Sequence, residues 1–179
     1  PPVAVRPVPE RDIPIIIGGG VDAAVRRAAR FADGFFSNAS PTRFVQQVRV
    51  AREEMERIGR DPQSFRWIYY GVMYPGPTDE IIDSVWHQIW KYLDMEASAT
   101  RPGLAGTPPL TDEWRAKVER RIIGGSAAAI VDQLGELHEE LGVPVEWVAR
   151  SYFPDLPYGR QLEIATALAT EVMPDVPSA

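Results

Sequence analysis

The chain contains no cysteine in its 179 residues. That absence rules out a disulfide framework, a thiolate nucleophile and any Cys-ligated metal, and makes a cytoplasmic setting the simplest expectation. Lysine stands only at Lys91 and Lys117, and there are 2 histidines, so conventional proton-transfer groups are scarce. His87 and His138 fall in helical stretches among acidic or polar neighbours and read as surface residues. Excess positive charge is lacking too: the formal net charge is −6. Basic residues alternate with acids, as in Arg52-Glu53-Glu54-Met55-Glu56-Arg57, which suits a solvated helix face and not a nucleic-acid surface. No apolar run approaches the roughly 18 residues of a membrane span, and the N-terminus lacks the apolar core of a signal peptide.

What remains is an ordinary globular composition, 45% hydrophobic, in a chain the size of one domain. Its most informative stretch is Pro14-Ile15-Ile16-Ile17-Gly18-Gly19-Gly20, followed at once by the Ala-rich, helix-like run Val21 to Ala32. An apolar run that breaks into glycines and restarts as a helix is how a buried parallel strand presents backbone amides to an anion. The glycines permit sharp turning and close approach, and the helix adds unpaired N–H groups and the positive end of its dipole. A tight strand-to-helix turn without a ligand explains the same residues. The letters also fit a dinucleotide fingerprint, but the acidic residue expected after the next strand is missing, since Gly34–Ser37 runs out into Asn38-Ala39-Ser40. A site for one phosphate is therefore preferred.

Strands and helices alternate. A strand near 13–17 precedes a helix at 21–32, and a strand at 34–37 precedes a helix at 41–59 with Ser40 as cap and Pro41 in its first turn. Phe65 to Tyr74 is a longer strand. After the Pro75-Gly76-Pro77 turn, a helix from Asp79 to Glu96, a Pro/Gly-rich connector from Ser98 to Thr111 and a helix from Asp112 to Arg121 read as an insertion spanning 75–121, placed where lids and substrate loops sit. Trp86, Trp90 and Tyr92 share part of one face of its first helix and read as packing. Ser126 then caps a helix to Leu141, Val145 to Tyr152 is a strand, and Tyr158 to Val172 a last helix. Four such units make a parallel sheet with right-handed crossovers, half the eight units of a closed barrel. An open half exposes edge strands and an apolar interior, so it needs a partner. Residues 1–12, rich in proline and starting at Pro1, read as an extended connecting segment, and the chain as a piece of something longer.

Pro14-Ile15-Ile16-Ile17-Gly18-Gly19 with Ala28-Ala29-Arg30-Phe31-Ala32-Asp33-Gly34-Phe35-Phe36 resembles the luciferase-like monooxygenases, the superfamily of FMN- and F420-dependent oxidoreductases. Ile123-Gly124-Gly125-Ser126 with its helix, Leu141-Gly142-Val143, and the closing Glu171-Val172-Met173-Pro174 are similar to later motifs of that family. The resemblance implies an α/β fold, the C-terminal half of a (β/α)8 TIM barrel, with the N-terminal half outside this chain and a homo-oligomer for the whole. It implies F420 or FMN as cofactor and a small-molecule substrate, with no nucleic acid and no membrane. It assigns the cofactor phosphate to the amides of Gly19, Gly20 and Val21, with Gly18 shaping the turn. Val21, Ala23 and Ala24 stand where the family often has hydroxyl side chains, which leaves the binding to backbone amides. Ser37 and Asn38, at the end of the second strand, lie on the face where barrel enzymes place their sites; Tyr69 and Tyr74 follow on the third strand. Hydride and oxygen chemistry would belong to the cofactor ring, whose surroundings come mostly from the other half. The alternative is a non-catalytic phosphate-ligand binding or interaction domain of the same fold, favoured by the scarcity of titratable groups.

Overall fold

The computed structural model describes residues 9–98 and 107–177. The first eight residues of the predicted connecting segment, residues 99–106 of the predicted connector and the Tyr92 side chain lie outside the described residues.

The alternating pattern forms β1 (Ile16–Gly18), α1 (Asp22–Phe31), β2 (Gly34–Ser37), α2 (Pro41–Ile58), β3 (Arg66–Pro75), α3 (Ile82–Ser98), α4 (Asp112–Glu119), β4 (Ile122–Gly125), α5 (Ala127–Leu141), β5 (Val145–Arg150) and α6 (Tyr158–Ala167). The last helix continues through a wider turn, Leu168–Val172. Every strand pairing is parallel. β3 is the hub. Its first residues pair with β2, Trp67 to Val72 pair with β5, and Val72 to Pro75 pair with β4.

β4 departs from the four-unit expectation. Ile122-Ile123-Gly124-Gly125 reads in sequence as the lead into a helix, yet it adds a fifth strand to the far end of β3. The reason is the length of β3: its 10 residues outrun both β2 and β5, and the backbone groups left over at its end need partners. An antiparallel bridge from Gly76 to Gly125 closes the same corner.

Side-chain alternation along the strands gives the sheet two unlike faces. Phe35, Trp67 and Tyr69 are fully buried, and the Tyr69 ring lies 5.0 Å from that of Phe44 on α2, so this face packs under the helices. On the opposite face Phe36 stacks on Tyr70 at 5.7 Å, Arg66 pairs with Glu146 at 2.6 Å, and Val148 is 40% exposed. Only part of this second face is covered by the chain itself. α1 packs against α2, β1 and β2, and its buried face is mostly small, with Ala24, Ala28 and Ala29 beside Val25, which suits close approach of backbones. Between β3 and β4, α3 and α4 are joined by an indole cluster: Trp86 lies 5.6 Å from Trp90 and 5.0 Å from Trp114 and donates to the Pro108 carbonyl at 2.8 Å. The predicted packing role of Trp86 and Trp90 is what the structure shows.

Candidate functional site

The glycine run lies at the C-terminal end of β1, where parallel strands deliver their sites. Gly18, Gly19, Gly20 and Val21 are all exposed. Val21 is the N-cap of α1 in extended conformation, and no side chain caps the helix. Ala24 N–H is taken by the Val21 carbonyl at 3.0 Å, but among the described residues the amides of Gly20, Val21, Asp22 and Ala23 meet no acceptor within the chain.

α2 decides which way those amides face. Gln47 Nε2 donates to the Gly19 carbonyl at 3.1 Å, and Arg43 Nη2 donates to the Gly20 carbonyl at 3.0 Å and to Asp22 at 2.6 Å. A trans peptide sets its N–H opposite its C=O. With the carbonyls of Gly19 and Gly20 held toward α2, the N–H groups of Gly20 and Val21 point away from it, toward open space. A Cβ at Gly19 would sit 2.6 Å from the Ala24 Cβ, whereas one at Gly20 would meet nothing within 4 Å. Gly19 is thus needed for the close turn onto α1, and Gly20 fronts an unfilled approach. The arrangement suits a phosphate held by backbone amides and the helix dipole.

Ser37 does not front that space. It is 2% exposed, its hydroxyl donates to Gln47 Oε1 at 2.6 Å and accepts from the Ala39 amide at 3.2 Å. The hydroxyl fixes the Gln47 amide, which in turn fixes the Gly19 carbonyl. Asn38 next to it is exposed and lines a hollow with Tyr70, Arg121 and Arg150 at the C-terminal end of the sheet. Tyr69 and Tyr74 are both fully buried. Tyr69 donates to the Ala39 carbonyl at 3.2 Å, and burial pushes its hydroxyl well above the ordinary tyrosine range. Tyr74 donates to Glu80 and accepts from Arg160 at 3.1 Å. Both tyrosines hold loops and are closed to a ligand.

The histidines divide. His87 is exposed, with Nδ1 2.6 Å from the Thr107 hydroxyl. His138, expected at the surface, is partly buried with its Nδ1 enclosed and unpartnered. Among the described residues no group of three or more His, Asp or Glu side chains could hold a metal, and no helix is long and apolar enough to cross a membrane. Gln47 and Arg43, which orient the loop, went unread in the sequence because each acts on residues more than twenty positions earlier. The one local hint is that both fall on the first two turns of a helix opening at the same sheet end.

Comparison with solved structures finds the same fold in an F420-dependent tetrahydromethanopterin reductase from Methanopyrus kandleri, with 21% identity and a TM-score of 0.62 over 92% of this chain and 51% of that one. An F420-dependent secondary alcohol dehydrogenase in complex with an F420-acetone adduct gives 14% identity and 0.61 over 95% and 51%. The oxygenating constituent of 3,6-diketocamphane monooxygenase from Pseudomonas putida, in complex with FMN, gives 13% and 0.54 over 92% and 49%. The chain therefore spans about half the length of these structures. No curated protein matches it in sequence. The sequence profile of the luciferase-like monooxygenases matches residues 1–144, and the chain belongs to that family.

Proposed function

We propose that this chain carries the cofactor-phosphate loop of an FMN- or F420-dependent oxidoreductase acting on a small molecule. The observation that carries the reading is the loop's polarity: two carbonyls tied back by Gln47 and Arg43, and unpaired amides facing the opening beside Gly20. The residues fit a phosphate group. Gly20, Val21 and the first turn of α1 bind it, Gly18 and Gly19 shape the turn, Ser37 positions Gln47, and Asn38 lines the mouth. When bound, the cofactor ring supplies the hydride or oxygen chemistry. The chain's own share is to anchor and orient, with a second half-barrel completing the mouth, a homo-oligomer as the assembled form and the cytoplasm as its setting. Residues 75–121 act as the insertion that covers this end.

Titration of the chain with FMN and with F420, followed by cofactor fluorescence, tests the reading. Gly20→Val is the informative variant: a Cβ there meets nothing within 4 Å, and the branched side chain is expected to crowd the approach to the amides. Its melting temperature should match that of the parent while cofactor affinity falls about tenfold or more, the size of losing charge-assisted hydrogen bonds. Equal affinity in parent and variant removes the loop from the site. Binding of neither cofactor by the parent favours the non-catalytic phosphate-ligand domain, which the scarcity of titratable groups around the loop also suits.

A further inference from the structure

The end of α4 faces the first turn of α2 across a cleft of about 430 Å³. Ser40 and Arg43 line it from α2; Lys117, Arg120 and Arg121 line it from the other side, with Trp114 as an apolar wall. In a chain of net charge −6, no carboxylate lines this cleft among the described residues. Two of its four cations are already neutralised: Arg43 by Asp22 at 2.6 Å and Lys117 by Glu113 at 2.6 Å. Arg120 spends only Nε, on the Ala116 carbonyl at 2.9 Å. The Arg121 guanidinium has no acceptor among the described residues. Two positive charges are left over, beside an indole that already carries the Lys117 ammonium 4.5 Å above its ring.

The cleft adjoins the hollow at the C-terminal end of the sheet. Arg121 and Ile89 line both it and the hollow that holds Asn38, Tyr70 and Arg150. On its other flank Arg43 reaches the Gly20 carbonyl of the phosphate loop. A ligand in the cleft would thus lie between the loop and that hollow, with its apolar part against Trp114.

We infer that this cleft recognises the anionic end of the substrate, an organic dianion with an apolar body, either a phosphate monoester or a dicarboxylate, and that Arg120 and Arg121 read its charge. Guanidinium groups suit either oxyanion because their paired N–H donors match its geometry. The site is separate from the phosphate loop, which uses backbone amides. That the bound anion is the substrate rests on the oxidoreductase reading; that an anion binds here does not.

Calorimetric titration of the chain with phenyl phosphate, with phthalate and with neutral phenol tests the inference. At least one anion should bind where phenol does not, and the tighter anion identifies the oxyanion. The exposed double variant Arg120→Gln/Arg121→Gln should keep the parent's melting temperature and bind that anion about tenfold more weakly or worse. Gly20→Val, which blocks the phosphate loop, should leave the arginine-dependent part of that binding as it is in the parent. Equal affinity in the double variant overturns the inference, as does the absence of binding of both anions up to about 10 mM, beyond the weakest useful recognition. Anion binding that depends on the arginines while FMN and F420 fail to bind upholds the cleft and removes the cofactor reading; the converse result removes the cleft alone.

Discussion

Glu54 carries the clearest charge arrangement in the described residues. Its side chain is 6% exposed and lies 2.5 Å from both Arg30 on α1 and Arg57 one turn along α2. Hydrogen bonds from Arg57 and then Arg30 lower its carboxyl to about 2 from an ordinary 4.5. A carboxyl whose value is lower in the folded chain stabilises the fold fully above its unfolded value, and that contribution is lost as pH falls through the folded one. The window runs from about 4.5 down to about 2. The chain should therefore melt progressively lower as pH falls through that window, and Glu54→Gln should melt lower than the parent near neutrality with the gap closing by about pH 2. A gap unchanged by acid would separate Glu54 from the acid sensitivity. Both arginines are largely exposed, so solvent screens the pair and the effect stays modest. Single residues of this kind are poorly legible in sequence. Glu54 looks like one acid in a charged helix face, and only the approach of α1 reveals it as buried. Ser37 misleads in the opposite direction: its position at a strand end marks it for a ligand, while its hydroxyl is turned inward to Gln47.

At the level of elements, local chemistry was a good guide. Ser40 and Ser126 accept from Arg43 and Ala129 amides at the starts of α2 and α5, as their positions imply, and the breaks at Gly59 and Gly142 fall where those helices stop. β4 was illegible because its pairing is set by the surplus length of β3 and not by its own residues, half of which are glycine. The cationic cleft was equally hidden, since Arg43 on α2 and Arg120 and Arg121 after α4 come to line one cleft only in the folded chain. Strand contacts also expose a requirement that propensity does not state. A Cβ at Gly34 would fall 2.6 Å from the Arg66 carbonyl oxygen, a backbone atom of the neighbouring strand. Because β2 and β3 pair in register there, Gly34↔Arg66, the clash cannot be relieved by turning a side chain. Gly34→Ala should cost about 1–3 kcal/mol, the range for forced overpacking, measured by denaturant unfolding. A variant as stable as the parent would mean that the two strands separate at this end without penalty.

The described strands form a parallel arc with open edges. Among the described residues β1 pairs only with β2, and β4 and β5 only with β3, so each presents a row of backbone groups with no described strand beside it. The face away from the helices adds apolar surface: Val148 is 40% exposed and lies beside Tyr70 and Ile68, which are only partly covered. On the β1 side Ile13 and Ile15 are 66% and 58% exposed. In a closed barrel of this family's kind the same face is interior. Exposed together, edge and face favour association of the isolated chain with itself, opposed by a net charge of −6 that repels like copies. Burial of apolar area wins at moderate salt, because exposed charges are screened beyond about 10 Å while the apolar contact is not. Sedimentation of this chain should therefore give a mass above 19.9 kDa that rises with concentration and with salt. Val148→Lys, which sets a charge in the middle of the open face, should return it toward the monomer without lowering its melting temperature, since the replaced side chain already meets solvent. A strictly monomeric parent at every concentration would show that the helices on one side are enough to stabilise an open half-barrel.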